Sequence, residues 1–246
     1  MPGSLRAVAV MMGGEHFRCW AELLSSVQTG QTAFEKLYGE PVFAYLAAHP
    51  QAARTFDAAM VGVHGRETAA MLDAYDFSGL GTLVDVGGGN GSLLTATLHR
   101  HPNLRGVLYD RPDVVERARP ALKAAGLEER CQAVGGNFFE AVPAGGGAYL
   151  LRHIIHDWYD AQCLTILRNC RKVMPPDGKL LLVEAVIPPG NGSFSSKFLD
   201  LNMLVIPGGM ERSEREYSEL LAAAGFRLAR IVPTATEVSV IEGVPA

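Results

Sequence analysis

The chain has 246 residues, of which 48% are hydrophobic, so it is long enough to bury a sizeable core. Its formal net charge is −4, from 22 basic and 26 acidic residues, and the sequence shows no basic cluster that would attract nucleic acid. The four cysteines are scattered without C-x-x-C spacing. The sequence therefore predicts neither a disulfide framework nor a zinc site, and it favours a reducing cytoplasm.

The first third of the chain has the spacing of helices. After Arg6, the apolar run "AVAVMM" is too short for the core of a signal peptide or for a membrane span, which predicts no membrane partner. Residues 16–75 carry apolar side chains at helical spacing, interrupted by glycine and proline. We therefore expect a helical segment over residues 1–76 and a second domain over residues 77–246.

From residue 80 onwards, short apolar runs alternate with segments of helical period. This alternation predicts an α/β fold whose mostly parallel sheet is covered by helices on both faces. The last two runs lie only a few residues apart, so we expect them to pair antiparallel. The predicted strands cover residues 82–86, 105–109, 131–134, 148–155, 179–186, 226–232 and 236–242.

The stretch "LVDVGGGNGS", residues 83–92, forms a glycine-rich turn between the first strand and a helix. Glycines there permit positive φ and let a ligand lie against backbone amides at a helix N-terminus. An ordinary tight turn is the alternative, but it needs fewer glycines. The spacing does not match G-x-G-x-x-G, and no Gly-Lys-Ser/Thr follows, which argues against a nicotinamide dehydrogenase and against a P-loop.

The pattern Asp85-x-Gly87-x-Gly89-x-Gly91 resembles the first motif of the class I S-adenosylmethionine (SAM) methyltransferases. That resemblance implies that the amides of the loop hold the methionine end of SAM. Asp110 ends the second predicted strand, where a carboxylate can accept both ribose hydroxyls. A helix cap is the alternative role for Asp110.

Three further residues are implied in cofactor binding by the same resemblance. Asn137 stands where the family usually has an aspartate beside the adenine, and its amide keeps the polar contact but lacks the charge. Phe138 would stack on the base, unless it packs in the core. Arg152 stands where family members often have a lysine, as a basic partner for the carboxylate of SAM. A surface or strand-edge arginine is the alternative.

His156 follows the fourth predicted strand, so we expect it to face the same crevice as the glycine loop. A neutral imidazole that titrates near neutrality is suited to take the proton of a phenol, although a lone histidine more often caps or packs. Asp157 or Asp160 would cap the next helix, and Cys163 and Cys170 fall on its buried side.

Longer motifs carry a more specific resemblance. The stretches "HDWYDAQCLTILRNCRKVMPPDGKLLLVEAVIP", "DLNMLVIPGGMERSEREYSELLAAAGF" and "LVDVGGGNGSLL" resemble the small-molecule O-methyltransferases of the plant caffeate and acetylserotonin type. Actinobacterial relatives that tailor aromatic antibiotics are similar as well. The resemblance implies a Rossmann-like class I methyltransferase fold, with a seven-stranded mostly parallel sheet and an antiparallel last strand, preceded by a helical segment. Residues 77–246 would then be the SAM-binding catalytic domain.

The same resemblance implies the catalytic residues. His156 would be the general base, and Glu184 and Glu211 would flank and orient its imidazole. A carboxylate bonded to the far ring nitrogen fixes the tautomer and stabilises the imidazolium, so acids beside this histidine make chemical sense. On local grounds alone, Glu184 closes a strand and Glu211 caps a helix.

Two segments match those that line the acceptor pocket of the family, "FDAAM" at residues 56–60 and "DLNMLVIPGGM" at residues 200–210. They would form an apolar slot for a planar aromatic molecule, with an asparagine as its polar handle. Methionines at helical spacing are more often ordinary core residues. The implied substrate-binding residues are Phe56, Met60, Asn202, Met203 and Met210.

The expected function is therefore SAM-dependent methyl transfer to a phenolic or enolic hydroxyl of an aromatic secondary metabolite. The sequence shows no cluster of acids and histidines spaced to hold a metal, so no metal is expected. Family members carry a further N-terminal dimerisation region, and its absence here implies a weakened homo-oligomer. Two alternatives stay open: a SAM-binding relative that performs hydroxylation, decarboxylation or cyclisation, and a non-catalytic SAM-binding or partner-binding module.

Overall fold

The computed structural model of the protein describes residues 4–192 and 194–246. Its first third is helical, as predicted, although residues 1–3 of the expected segment lie outside the described residues. A π-helical turn, Met12–His16, joins the first two helices. The helices are α1 (Arg6–Met11), α2 (Phe17–Ala21), α3 (Leu23–Thr29), α4 (Ala33–Tyr38), α5 (Val42–Ala48) and α6 (Pro50–Ala74).

These helices have a small apolar core of their own, in which Cys19 of α2 and Phe34 of α4 are buried beside Val205 from the second half of the chain. The long helix α6 reaches further, because its buried Met71 packs into the core beneath the sheet. The predicted boundary after residue 76 stays a prediction.

The sheet has the predicted architecture. Among the described residues the strand order is β3-β2-β1-β4-β5-β8-β7, and a two-residue strand, β6, pairs with β5 off this path. The β1 to β5 pairs are parallel, and β8 is antiparallel to both of its neighbours. The α/β prediction with an antiparallel last strand is therefore confirmed. The strands are β1 (Thr82–Val86), β2 (Arg105–Asp110), β3 (Cys131–Gly135), β4 (Ala148–Arg152), β5 (Lys179–Ile187), β6 (Arg212–Ser213), β7 (Phe226–Pro233) and β8 (Val238–Pro245).

Helices cover both faces of this sheet because alternate strand residues point to opposite sides. In β1, Leu83 packs in one apolar cluster and Val84 packs in the other. Within the described ranges, no helix has both the length and the apolar character that crossing a bilayer requires. The covering helices are α7 (Ser92–Arg100), α8 (Pro112–Ala124), α9 (Asp160–Val173), α10 (Ser195–Val205) and α11 (Glu214–Ala223).

The fourth strand is shorter than predicted, and this changes the position of His156. β4 ends at Arg152 rather than at residue 155, because His153 adopts a positive φ of 53°. The next two backbone amides, of Ile154 and Ile155, then donate to Glu184 Oε1 instead of to a neighbouring strand, at 3.1 and 2.9 Å. His156 consequently lies in a 3-10 turn, Ile155–Asp157, rather than directly at a strand end.

Smaller differences concern the helix that follows and the last strand. Neither Asp157 nor Asp160 caps α9, whose N-cap residue is Tyr159. Its cysteines, Cys163 and Cys170, are fully buried as predicted. The last strand covers Val238–Pro245 and not residues 236–242.

Candidate active site

The glycine loop adopts the backbone conformation that its sequence indicated. Gly87, Gly89 and Gly91 have positive φ values of 73°, 58° and 74°, which side chains of L-residues rarely allow. A Cβ atom on Gly87 would collide with the side chain of Ile154, and it would lie 3.7 Å from Phe138. The loop therefore touches the segment that leads from β4 to His156, at the carboxyl ends of β1 and β4.

Two carboxyl groups surround this loop. Asp85 is buried beneath it, and its Oδ2 has no hydrogen-bond partner among the described residues. Burial raises the pKa of Asp85 to about 7, Arg152 opposes the shift and Asp110 adds to it. Asp110 accepts hydrogen bonds from the backbone amides of Gly89 at 2.8 Å and Arg111 at 2.7 Å. Asp110 is not a helix cap, because the N-cap residue of α8 is Arg111.

The other predicted cofactor residues lie around the same loop but have local partners. Asn137 is exposed, and its amide donates to Glu140 Oε1 at 3.0 Å while its oxygen accepts from the backbone of Phe139. Phe138 is half-buried and lies edge-on to Trp158, with the ring centroids 6.3 Å apart. Arg152 donates to Thr68 Oγ1 at 2.8 Å and is half-buried, so it is not a surface residue.

The structure brings His156, Glu184 and Glu211 together. The imidazole is buried, and its Nδ1 lies 2.6 Å from Glu211 Oε1 and 3.6 Å from Glu184 Oε2. Glu211 precedes β6, which pairs with the end of β5 and so carries the acid to the histidine. Because Nδ1 is bonded to a carboxylate, the neutral imidazole carries its proton on Nδ1 and keeps a lone pair on Nε2.

The acids decide the basicity of this imidazole. Burial by itself lowers the pKa of His156, but the carboxylates of Glu184, Asp157 and Glu211 outweigh it and raise that pKa to about 10. Burial also raises the pKa of Glu184 to about 8 and that of Asp157 to about 6. At neutral pH these carboxylates favour the imidazolium, so Nε2 has a free lone pair only in the minor neutral form of the ring.

Asp157 was considered only as a helix cap, yet its Oδ1 lies 3.6 Å from His156 Nε2. It therefore faces the ring nitrogen that carries the lone pair. The sequence could have indicated this proximity, because Asp157 directly follows His156 and both residues lie in one 3-10 turn.

Arg212 and Gly209 were also missed. Arg212 is fully buried and donates to the carbonyl oxygens of Ile155 at 3.1 Å and Trp158 at 3.0 Å, which ties β6 to the turn of His156. Gly209 lies so close to that turn that a Cβ atom would be 2.5 Å from the carbonyl carbon of Asp157. These contacts join residues that are distant along the chain, so no local sequence pattern could predict them.

A second histidine, half-buried, lies beside the first. His153 Nε2 is 2.9 Å from Glu67 Oε2 on α6, and the rings of His153 and His64 stack with their centroids 4.6 Å apart. Potential metal-ligand atoms lie within 4.8 Å of one another in two groups, His64 with Glu67 and His153, and His153 with His156 and Glu184, which no spacing along the sequence indicated. The stacked rings of His64 and His153 are within 13° of parallel, however, so in this arrangement a single ion cannot lie in the planes of both rings.

The predicted acceptor residues lie on α6, on α10 and in the segment before β6. Phe56 packs edge-on against Phe43, which stacks on Trp158 with a centroid distance of 5.9 Å. Asn202 Oδ1 accepts from Trp20 Nε1 at 3.0 Å, and Met203 is buried as a core residue would be. Met210 is half-buried and its backbone amide donates to the carbonyl of His156, while Met60 is half-buried on α6.

Similarity to known proteins extends over most of the chain. The profile of a known family, described as an O-methyltransferase domain, matches residues 20–227. Phenazine O-methyltransferase PhzM of Lysobacter antibioticus is 48% identical over 244 residues, which cover 99% of this chain and 72% of that protein. Aclacinomycin 10-hydroxylase RdmB of Streptomyces purpurascens is 39% identical over 209 residues, which cover 84% of this chain and 56% of that protein.

A solved structure supports the same relationship. It contains NcsB1, an O-methyltransferase from neocarzinostatin biosynthesis, in complex with S-adenosylmethionine and 2-hydroxy-5-methyl naphthoic acid. Its TM-score is 0.87 at 35% identity, and the match covers 96% of this chain and 70% of that chain. This likeness confirms the predicted Rossmann-like class I methyltransferase fold.

Proposed function

This chain belongs to the family described as an O-methyltransferase domain. From that premise we propose that it methylates a phenolic or enolic hydroxyl of an aromatic secondary metabolite, with His156 as general base. The observation that best supports this proposal is the 2.6 Å contact between His156 Nδ1 and Glu211 Oε1. It leaves Nε2 as the free nitrogen, in a turn that touches the glycine loop through Ile154.

The residues around the glycine loop fit SAM, which when bound supplies an electrophilic methyl group on a sulfonium. Gly89 is open on its side-chain face, where a Cβ atom would meet no heavy atom within 4 Å. The partnerless Oδ2 of Asp85 and the carboxylate of Asp110 offer acceptors for the ammonium and hydroxyl groups of such a ligand. Asp85, Gly87, Gly89, Gly91 and Asp110 would hold it, with Asn137, Phe138 and Arg152 nearby.

His156 has the basicity that a phenol requires. A phenolic hydroxyl has a pKa near 10, as the side chain of tyrosine illustrates. The neighbouring acids raise the pKa of His156 toward this value, so once the ring is neutral a proton can pass from the acceptor oxygen to Nε2 at little free-energy cost. Glu211 then stabilises the imidazolium through Nδ1. Methyl transfer from a sulfonium needs mainly alignment, so the proposed reaction uses no metal.

Aromatic side chains support a planar acceptor. Trp158, which follows the turn of His156, stacks on Phe43 at 29°, and Phe43 meets Phe56 edge-on. The oxygen of Asn202 is taken by Trp20, so its NH2 group is the polar handle that remains for an acceptor. Met60, Met203 and Met210 would complete the apolar slot. The relative NcsB1, whose structure contains a naphthoic acid, supports this substrate class.

The test is the substitution His156→Ala, with His99→Ala on the exposed end of α7 as the matched control. Without the base, turnover should fall by about 100-fold or more, while SAM affinity measured by calorimetry stays near the wild-type value. His99→Ala should leave both quantities unchanged. If His156→Ala turned over as fast as the wild type, His156 would be removed from the mechanism.

A second candidate function rests on the similarity to the 10-hydroxylase RdmB. In that case the chain would bind SAM without transferring its methyl group to an oxygen. Incubation with methyl-labelled SAM and a panel of polyphenols separates the two functions, because label enters the product only in methyl transfer. SAM binding without formation of S-adenosylhomocysteine in the presence of any acceptor would favour a non-catalytic module instead.

A further inference from the structure

Glu184 has two oxygen atoms in very different surroundings. Oε1 accepts the backbone amides of Ile154 at 3.1 Å and Ile155 at 2.9 Å. Oε2 is buried and has no hydrogen-bond partner among the described residues. A buried carboxylate oxygen without a donor is costly, and Glu211 Oε2 shares this condition, so the choice of the protonated acid rests on which oxygen has an acceptor beside it.

Two imidazole nitrogens lie near Oε2, and only one of them can accept a proton. His156 Nδ1, at 3.6 Å, already donates to Glu211, so it has no free lone pair. His153 Nδ1, at 3.8 Å, is also without a partner among the described residues. The opposite nitrogen of that ring, Nε2, is bonded to Glu67 Oε2 at 2.9 Å, which places the proton of the neutral ring on Nε2 and leaves Nδ1 as an acceptor.

We propose that Glu184 is a neutral carboxylic acid at neutral pH, with its proton on Oε2 directed at His153 Nδ1, and that His153 is a positioning residue which retains this proton. Glu67 fixes the tautomer of His153 that makes the acceptor available. The proton stays within the pair, since Oε2 donates it and Nδ1 accepts it. A small approach of the two side chains from 3.8 Å gives both atoms the partner that they lack.

The other charged and titratable groups agree with this assignment. His153 is faced by Glu67 and His64 from α6, and by Arg152, His156 and Glu184 from the segments around β4 and β5. Burial lowers the pKa of His153 and raises the pKa of Glu184 to about 8, which puts the proton on the acid rather than on the ring. Burial lowers the pKa of His64 to about 2, so the stacked ring adds no charge.

The consequence is that the two acids beside His156 differ in charge. Glu184 would anchor the turn through Oε1 as a neutral acid, so Glu211 and Asp157 would be the carboxylates that still raise the pKa of His156 and stabilise its imidazolium. This role in the reaction rests on the proposed function of His156. The protonation states themselves do not depend on it.

Nuclear magnetic resonance on the wild-type protein tests the protonation states. With the side chains assigned through their backbone resonances, the carboxyl carbon of Glu184 should report a protonated acid at pH 7 that titrates above neutrality. The ring nitrogens of His153 should report a protonated Nε2 and an unprotonated Nδ1. A Glu184 carboxylate at pH 7, a doubly protonated His153 ring, or the opposite tautomer would each overturn the proposal.

Substitutions test the same asymmetry through kinetics. Glu184→Gln preserves a neutral group with an acceptor and a donor, whereas Glu211→Gln removes a charge. The loss of kcat/KM should therefore be larger for Glu211→Gln by at least about 10-fold. In Glu184→Gln the Nε2 tautomer of His153 should persist. Equal losses in the two variants would contradict the proposal. If His156→Ala stayed active, the proposed function would fail, and the resonance measurements would still decide the protonation of Glu184.

Discussion

The substitution Gly209→Ala tests whether close backbone approach holds the candidate site together. A Cβ atom at this position would lie 2.5 Å from the carbonyl carbon of Asp157 and 2.8 Å from its Cα, and nearer still to the carbonyl oxygen of His156. Real Cβ contacts essentially never fall below 3.0 Å. Because the carbonyl oxygen of His156 is the nearest atom, the two backbone segments must separate by about 1 Å or more.

This separation acts on two bonds that define the site. The amide of Met210 donates to the carbonyl of His156 at 2.9 Å, and Glu211 Oε1 lies 2.6 Å from His156 Nδ1. Overpacking of this kind costs about 2–3 kcal/mol of unfolding free energy. Displacement of the acid from the imidazole should lower kcat/KM by about 100-fold.

Urea denaturation and a methyl-transfer assay measure the two effects. The matched control is Gly65→Ala in α6, where a Cβ atom meets nothing within 4 Å and the backbone is helical. That control should raise the free energy of unfolding by about 0.5–1 kcal/mol and leave turnover unchanged. Wild-type stability and turnover in Gly209→Ala would refute the inferred role of the close approach.

Other predictions concern the arginine, the buried aspartate and the exposed apolar side chains. Arg212→Leu leaves the buried carbonyl oxygens of Ile155 and Trp158 without this donor, so the free energy of unfolding measured in urea should fall by about 2–4 kcal/mol. An unchanged urea midpoint would argue that Arg212 does not hold the turn. The pKa of Asp85 in the folded protein, about 7, exceeds the ordinary aspartate value of 3.8, so the native state binds the extra proton and stability falls as pH rises between these values. Asp85→Asn should remove this fall and stabilise the protein at pH 8 by roughly 2–4 kcal/mol, as thermal unfolding at pH 4 and pH 8 would reveal. Phe17 and Leu24 are 70% and 69% exposed, so light scattering should detect self-association of the wild-type protein at high concentration. The double variant Phe17→Ser, Leu24→Ser should associate more weakly, and a wild-type protein that stays monomeric would contradict the prediction.

The fold was predictable because its signals are local. The alternation of short apolar runs with helical periods indicated a mostly parallel sheet covered by helices. The end of β4 was not predictable, because Glu184 on β5 takes the backbone amides that would otherwise continue the strand. The two-residue strand β6 is too short to carry any periodicity.

The candidate site likewise has a part that local sequence signals predicted and a part that they did not. The glycine loop could be located from its spacing, whereas the grouping of Glu184 and Glu211 around His156 was implied by family resemblance alone. His153 was passed over although it stands beside the recognised histidine. Its significance comes from Glu67 on α6, a partner 86 positions away that no sequence window contains.

The position of β8 has a consequence for the order in which the protein can assemble. β7 precedes β8 along the chain, yet it joins the sheet through β8, which lies between it and β5. During synthesis on the ribosome, β7 therefore emerges before the strand that it must pair with, and it waits with its backbone amides unpaired. Until β8 is present, residues 226–233 are therefore an unpaired strand, and unpaired strand edges are prone to association with other chains.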